Sequence, residues 1–200
     1  MKVETESIGG RIIELARRAK SAARLMSQIS TGQKDIALAN IAARLRESSS
    51  AIFRKNVDDL DRARPLVESG KMADPLYKRL KLDTQKLSDI IGGVEQVAAL
   101  DDPVGKISLA TELDDGLNLY RVNCPIGVIG VIFESRPDAL VQISSLALKS
   151  GNAVLLKGGS EAESTNRALF DVIQAAVVES GIPADALTLL ESREDVTALL

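Results

Sequence analysis

The second half of the chain alternates short apolar runs with helical patterns, and this alternation constrains the fold more than any other feature. Residues 126–133 are apolar apart from two glycines, which is typical of a strand buried on both faces in the centre of a parallel sheet. The pattern strand, then helix, repeats at 153–156 and 161–179, and a third strand is predicted at 187–190. A helix is also predicted between the runs at 126–133 and 153–156, and Pro137 suits its first position. The sequence therefore predicts an α/β chain with a doubly wound parallel sheet.

The first half predicts helices. Its apolar residues recur at spacings of three and four, as on one face of a helix. The predicted faces are 12–29, 36–45, a third that contains Phe53, Val57 and Leu60, and 87–97, with Asp83 or Thr84 as the N-cap of the last.

A period of two follows, broken by Asp114-Asp115-Gly116, and this pattern predicts a β-hairpin. The organisation we expect is a helical part at 1–105, a hairpin at 106–124 and a Rossmann-type βαβαβα part at 125–200. A capping box at 192–195 opens the last predicted helix, because a serine and an acid three residues apart can satisfy two free N–H groups.

Composition excludes several kinds of chemistry. The 200 residues contain no histidine and one cysteine, so they hold no Ser-His-Asp triad, no imidazole metal ligand and no disulfide. We expect no metal site. Cys124 precedes the first strand of the sheet, at the end opposite the ligand-binding edge, and its interpretation is a small buried core residue rather than a nucleophile.

The apolar runs are shorter than the roughly 18 residues of a membrane span, and residues 1–6 lack the apolar core of a signal peptide. The cytoplasm is therefore the expected location, with no membrane partner. Basic residues at 17–24 have no interleaved aromatic residues and the sequence pI is about 5.2, so no nucleic-acid partner is expected.

Ligands of such sheets bind beyond the carboxyl ends of the strands, which directs attention to 134–138 and 157–161. The first segment places Ser135 and Arg136 at a helix N-terminus, which favours an anion. The second places Lys157 before two glycines. Each cation has an ordinary alternative: Arg136 could pair with a neighbouring acid, and Lys157 could be a strand-end lysine. From the residues alone, the prediction is an anion- or nucleotide-binding module.

Two motifs also carry a resemblance: Phe-Glu-Ser-Arg-Pro-Asp at 133–138 and Leu-Leu-Lys-Gly-Gly at 155–159. With Asp-Pro-Val-Gly at 102–105, they closely resemble the gamma-glutamyl phosphate reductases of the aldehyde dehydrogenase superfamily. The resemblance covers nearly the whole chain. It implies an aldehyde-dehydrogenase-like fold in which helices and an oligomerisation hairpin lead into a Rossmann-type sheet, so a homo-oligomer is expected.

The family implies an NADPH-dependent reduction of L-glutamate 5-phosphate to L-glutamate 5-semialdehyde, with release of phosphate, in L-proline biosynthesis. A cysteine thiolate attacks the acyl phosphate and the resulting thioester accepts hydride. Glutamate 5-kinase is the implied neighbour in the pathway. Two alternatives remain: a non-catalytic nucleotide-binding or assembly module, and another semialdehyde dehydrogenase.

The same resemblance assigns residues by position. Lys157, Gly158, Gly159 and Glu161 match the cofactor-binding segment, with Lys157 at the adenosine ribose or its 2′-phosphate. Ser135 and Arg136 are candidates for contact with the oxyanion or the acyl phosphate. The nucleophilic cysteine is expected beyond Leu200, so the chain resembles the N-terminal part of the enzyme without its catalytic domain, and alone it should be inactive.

Overall fold

The computed structural model describes residues 8–134, 136–190 and 192–199. Five helices come first, and the hairpin and sheet follow them. The helices are α1 (Ile8–Met26), α2 (Thr31–Glu47), α3 (Ser49–Glu68), α4 (Asp74–Leu80) and α5 (Thr84–Ala99). The remaining elements are strands β1 (Ile107–Asp114), β2 (Leu117–Val122), β3 (Val128–Ile132), β4 (Ala153–Lys157) and β5 (Leu187–Leu189), and helices α6 (Pro137–Lys149), α7 (Glu163–Glu179) and α8 (Arg193–Leu199), with short 3₁₀ turns at Ser160–Ala162 and Ala184–Ala186.

The three later strands form a parallel sheet in the order β3-β4-β5. Every residue of β4 is buried, because alternate side chains point to opposite faces and both faces are covered. Val154 and Leu156 join the large core that includes α2, α5, α6 and α7, whereas Leu155 packs with Ile12 and Ala19 of α1. The sheet is therefore the middle layer of an α/β/α arrangement, as the strand and helix pattern predicts.

The predicted position of β3 is wrong. It is an edge strand of this sheet, and β4 is the central one. The side chain of Ile132 is 66% exposed, and Ile126, just before the strand, is 84% exposed. An unbroken apolar run indicates that a strand can be buried on both faces, but it does not indicate which segments of the chain cover those faces.

Several predicted local signals are confirmed. Asp83 is the N-cap of α5 and accepts a hydrogen bond from the Lys86 N–H at 3.0 Å. Ser192 and Asp195 form the reciprocal capping box at the start of α8, at 3.1 and 3.0 Å. The hairpin turns at Gly116, whose φ of 74° lies in the left-handed region that favours glycine.

The third predicted helix is confirmed as α3, and Phe53 and Leu60 of its predicted face pack partly buried against the core, but Val57 does not. The helix buries Ile52, Asn56, Asp59 and Ala63, whereas Val57 is 52% exposed. Asn56 and Asp59 are polar, so a search for apolar spacing selects the neighbouring face instead. Asn56 and Asp59 both form hydrogen bonds with Thr165 of α7.

Within the described ranges, no helix is both long and apolar enough to cross a bilayer.

Candidate functional site

The loop after β4 is held by its own side chains. Lys157 ends the strand, is 8% exposed and donates from Nζ to the carbonyl oxygen of Gly158. A Cβ added to Gly158 would lie 2.3 Å from Nδ2 of Asn166 and 3.2 Å from Cε2 of Phe133. Gly158 is therefore required by close packing against buried groups. At Gly159 the close neighbour is the Glu161 carboxylate, which folds back to 2.1 Å from such a Cβ.

A cavity of about 650 Å³ opens beside this loop, and we call it the β4 cavity. It lies between the 157–160 segment, the N-terminal half of α7, the 51–62 part of α3 and the end of β5. Such a volume is typical of small-molecule sites. Five cationic residues and two acidic ones line it: Arg54, Lys55, Arg62, Lys157 and Arg167, with Glu163 and Asp171.

The cations of the β4 cavity differ in how far they are already paired. Arg62 donates to Asp59 and to Oγ of Ser164, and Lys55 lies 3.1 Å from Asp58. Arg54 makes no hydrogen bond or ion pair with any residue that the structure describes. Asn166, which also lines the cavity, is 3% exposed, and its Oδ1 finds no hydrogen-bond partner in the described part of the chain. The cavity thus offers an unpaired guanidinium to an anion.

The N-terminus of α7 is already occupied. Ala162, its N-cap residue, supplies no side-chain bond, but Asp59 of α3 accepts the backbone N–H groups of Ser164 and Thr165 at 3.1 and 2.7 Å. A carboxylate there satisfies the free N–H groups and the positive end of the helix dipole. An anion in the β4 cavity therefore depends on side-chain cations rather than on this helix end.

A second cavity, of about 520 Å³, lies beyond the carboxyl end of β3, and we call it the β3 cavity. One wall is the start of α6, with Arg136, Pro137 and Asp138. Arg136 is paired with Asp138 at 2.9 Å, which is the ordinary alternative that the sequence left open. Ser135, the other candidate from this segment, lies outside the described residues.

Cys124 is exposed, so the interpretation of a buried core cysteine is wrong. It precedes β3 and lies near the amino ends of the parallel strands, away from both cavities. No cluster of three potential metal ligands occurs among the described residues.

Sequence reasoning missed the contribution of α3, α4 and α5 to both cavities. Arg54 and Arg62 belong to α3, and Arg79, Lys81 and Lys86 lie on or between α4 and α5. In the sequence these are ordinary cations of helical segments, which usually form a solvated face. One pattern in the sequence could have indicated that α3 packs against another element through polar groups. Asn56 and Asp59 follow the apolar Ile52 by four and seven positions, so all three lie on one helix face.

The fold defines the class of protein. Methylmalonate-semialdehyde dehydrogenase from Oceanimonas doudoroffii superposes with a TM-score of 0.71 over 96% of this chain and 36% of that one, at 15% identity. No model of a known protein family matches the sequence. The chain therefore has an aldehyde-dehydrogenase-like α/β fold.

Two proteins with much higher sequence identity to this chain define the class more narrowly. Gamma-glutamyl phosphate reductase from Pelotomaculum thermopropionicum is 54% identical over 187 residues, which are 94% of this chain and 42% of that protein. The crystal structure of gamma-glutamyl phosphate reductase from Saccharomyces cerevisiae matches with a TM-score of 0.84 and 39% identity, over 90% of this chain and 46% of that one. The chain is similar to these gamma-glutamyl phosphate reductases along most of its own length, and it spans less than half the length of either relative.

Proposed function

We propose that these residues form the cofactor side of an enzyme that reduces L-glutamate 5-phosphate to L-glutamate 5-semialdehyde with NADPH and releases phosphate, as a step of proline biosynthesis. The observation that carries the proposal is the β4 cavity, where Lys157 and four further cations line a space of about 650 Å³ at the carboxyl ends of β4 and β5. This edge is where open α/β sheets bind nucleotides. The choice of reaction rests on the similar proteins, which are gamma-glutamyl phosphate reductases.

The β4 cavity fits the adenosine end of NADPH. Its volume is sufficient, and the unpaired Arg54 and the strand-end Lys157 supply positive charge for a 2′-phosphate. The buried, unpaired Oδ1 of Asn166 marks a polar wall beside Gly158. Glu161 holds its carboxylate against Gly159, so we propose that it shapes the loop at which the ribose binds. When bound, the nicotinamide group supplies the hydride.

The reaction also needs a thiol nucleophile. Cys124 is the single cysteine of the 200 residues, and it lies near the amino ends of the strands, away from both cavities. The proposal therefore assigns the thiol to polypeptide outside these 200 residues and expects the isolated chain to bind cofactor without turning over substrate.

The hairpin supports a proposal of self-assembly. All residues of β1 and β2 are exposed, and they include large apolar side chains. These are Ile107, Leu109, Leu113, Leu117, Leu119 and Val122, each 48–60% exposed. An isolated two-stranded hairpin is only marginally stable in water. We propose that another copy of the protein covers it in a homo-oligomer.

The proposed reaction is tested in reverse. An intact protein that contains these residues should reduce NADP when given glutamate 5-semialdehyde and inorganic phosphate, as followed by the absorbance of NADPH. Without phosphate the rate should fall to background, because phosphate is the second substrate. Reduction that is independent of phosphate would indicate an ordinary semialdehyde dehydrogenase, and cofactor binding without turnover would indicate a non-catalytic module.

Lys157→Ala should weaken NADPH binding by about 10- to 100-fold, since a charge-assisted hydrogen bond contributes about 1.5–3 kcal/mol. NADH binding should weaken much less, because NADH lacks the 2′-phosphate. Cofactor fluorescence titration measures both dissociation constants. Lys20→Ala, an exposed lysine of α1, is the matched control. Equal losses for the two cofactors would remove Lys157 from the 2′-phosphate site.

A further inference from the structure

The β3 cavity has a second wall that the sequence does not connect with Arg136. This wall runs from the end of α4 to the first half of α5 and contributes Arg79, Lys81, Lys86 and Asp89. The two walls meet beyond the carboxyl end of β3, next to the strand whose loop borders the β4 cavity. Both cavities therefore lie along the ligand-binding edge of one sheet.

Among the described residues, three of the four cations in the β3 cavity form no ion pair. Arg136 is paired with Asp138, but Lys86 donates from Nζ to the carbonyl oxygen of Lys81 at 2.6 Å. The side chains of Arg79 and Lys81 make no hydrogen bond or ion pair with residues that the structure describes. The side chains of Arg79, Lys81 and Lys86 are exposed, and cations that line one cavity favour an anion there.

Two carboxylates near this wall each accept a hydrogen bond from the protein and keep their negative charge. Asp83 caps α5, and the Lys86 N–H, followed by the charges of Lys81 and Lys86, holds the pKa of its carboxyl below the usual range. Asp89 accepts a bond from Gln85 Nε2 at 2.8 Å. The cavity thus combines a guanidinium that can bind two oxygens of one group with two ammonium groups. This donor set suits a phosphate dianion.

We propose that the β3 cavity binds the phosphate group of the substrate, through Arg79, Lys81 and Lys86. The assignment of that group to an acyl phosphate rests on the proposed function, whereas the affinity for phosphate rests on the cavity alone. Phosphate bound here would lie beyond β3, and the cofactor beyond β4 and β5. Both sites would therefore lie along the same edge of the sheet.

Isothermal titration of the chain with inorganic phosphate at low ionic strength tests the site. Arg79→Gln and Lys86→Gln should each raise the dissociation constant about tenfold, as expected for one lost charge-assisted bond. Lys78→Gln is the control, since it removes the same charge from α4 at a residue that does not line the cavity. Its effect should stay below about twofold. An equal effect of Lys78→Gln and Lys86→Gln, or no phosphate binding by the unaltered chain, would overturn the site.

Titration with 2′,5′-ADP, a probe of the β4 cavity, separates this inference from the proposed function. The Arg79 and Lys86 variants should bind 2′,5′-ADP normally, and Lys157→Ala should bind phosphate normally. Loss of phosphate binding in Lys157→Ala would place the phosphate in the β4 cavity and refute the inference. If phosphate binding depends on Arg79 and Lys86 but 2′,5′-ADP does not bind, the phosphate site stands and the NADPH-dependent function fails. Competition by acetyl phosphate then tests whether the site accepts an acyl phosphate as well as the free anion.

Discussion

Asp59→Ala should lower the free energy of unfolding by about 3–5 kcal/mol, because it removes a buried carboxylate that several donors need. Asp59 is 0% exposed. Its oxygens accept the Ser164 N–H at 3.1 Å, the Thr165 N–H at 2.7 Å and the Thr165 hydroxyl at 2.5 Å, and Arg62 donates to it as well. Without the carboxylate, two backbone N–H groups at the start of α7 lose their acceptor.

Asp59→Ala should also disturb the β4 cavity, because α7 lines it. Asn56, on the same face of α3, donates to Thr165 at 3.2 Å and to the carbonyl oxygen of Leu80, and it accepts the Leu82 N–H. Asp59 and Asn56 thus tie α3 to the helix that follows the 157–160 loop. We expect Asp59→Ala to weaken 2′,5′-ADP binding together with stability.

Urea unfolding followed by circular dichroism measures the first effect. Asp58→Ala is the matched control, because Asp58 is exposed and its ion pair with Lys55 is a surface pair worth about 0–1 kcal/mol. Asp59→Asn keeps one acceptor oxygen, so its loss of unfolding free energy should lie between those of Asp59→Ala and Asp58→Ala. A loss below about 1 kcal/mol for Asp59→Ala would mean that water replaces the cap, contrary to the structure.

Much of the fold follows from local rules that act within a few residues. The strand and helix alternation from β3 to α8, Pro137 at the first turn of α6, the Asp83 cap and the Ser192 capping box each depend on chain-local geometry. For that reason they are visible in the sequence. Lys157 and its glycines are visible in the same way, as a cation and a tight loop at the end of an apolar strand.

The rest depends on contacts between distant segments. The sequence pattern does not reveal that β3 is an edge strand, or that α3 turns Asn56 and Asp59 inward to reach Thr165, more than 100 positions away. Helix α4 is too short for an apolar period to identify it. The cations of the β3 cavity are ordinary in sequence and become a group only because α4 and α5 pack beside Arg136.

A buried ion pair provides the second large effect. Lys34 of α2 is 1% exposed and donates to both carboxylate oxygens of Asp102, at 3.1 and 2.8 Å. Asp102 also accepts the Thr31 hydroxyl and the Val104 N–H. Asp102 thus joins α2 to the segment that leads into the hairpin, which explains the Asp-Pro-Val-Gly motif at 102–105 in structural terms.

Asp102→Ala should cost about 3–5 kcal/mol of unfolding free energy, because it leaves the Lys34 ammonium buried without its counter-charge. Lys34→Met keeps the length of the side chain without the charge. The double variant Lys34→Met/Asp102→Ala should therefore recover much of the unfolding free energy that Asp102→Ala loses. A double-mutant cycle measured by urea unfolding gives the coupling, and Lys106→Met, whose pair with Asp101 is exposed, is the control. Coupling near zero would show that the pair does not stabilise the fold.

The same pair predicts how stability responds to acid. Burial alone raises the pKa of Asp102, but the bonds from Lys34, the Val104 N–H and Thr31 outweigh burial and hold the pKa below its usual value. A carboxyl whose pKa is lower when folded stabilises the protein above its unfolded pKa of about 3.9, and that contribution is lost as the pH falls through the folded value. The unaltered chain should therefore lose more stability between pH values of about 5 and 2 than Asp102→Ala does, because the variant has no such carboxylate to protonate. Parallel acid profiles for the two proteins, measured by urea unfolding at each pH, would show that other carboxylates control the acid transition.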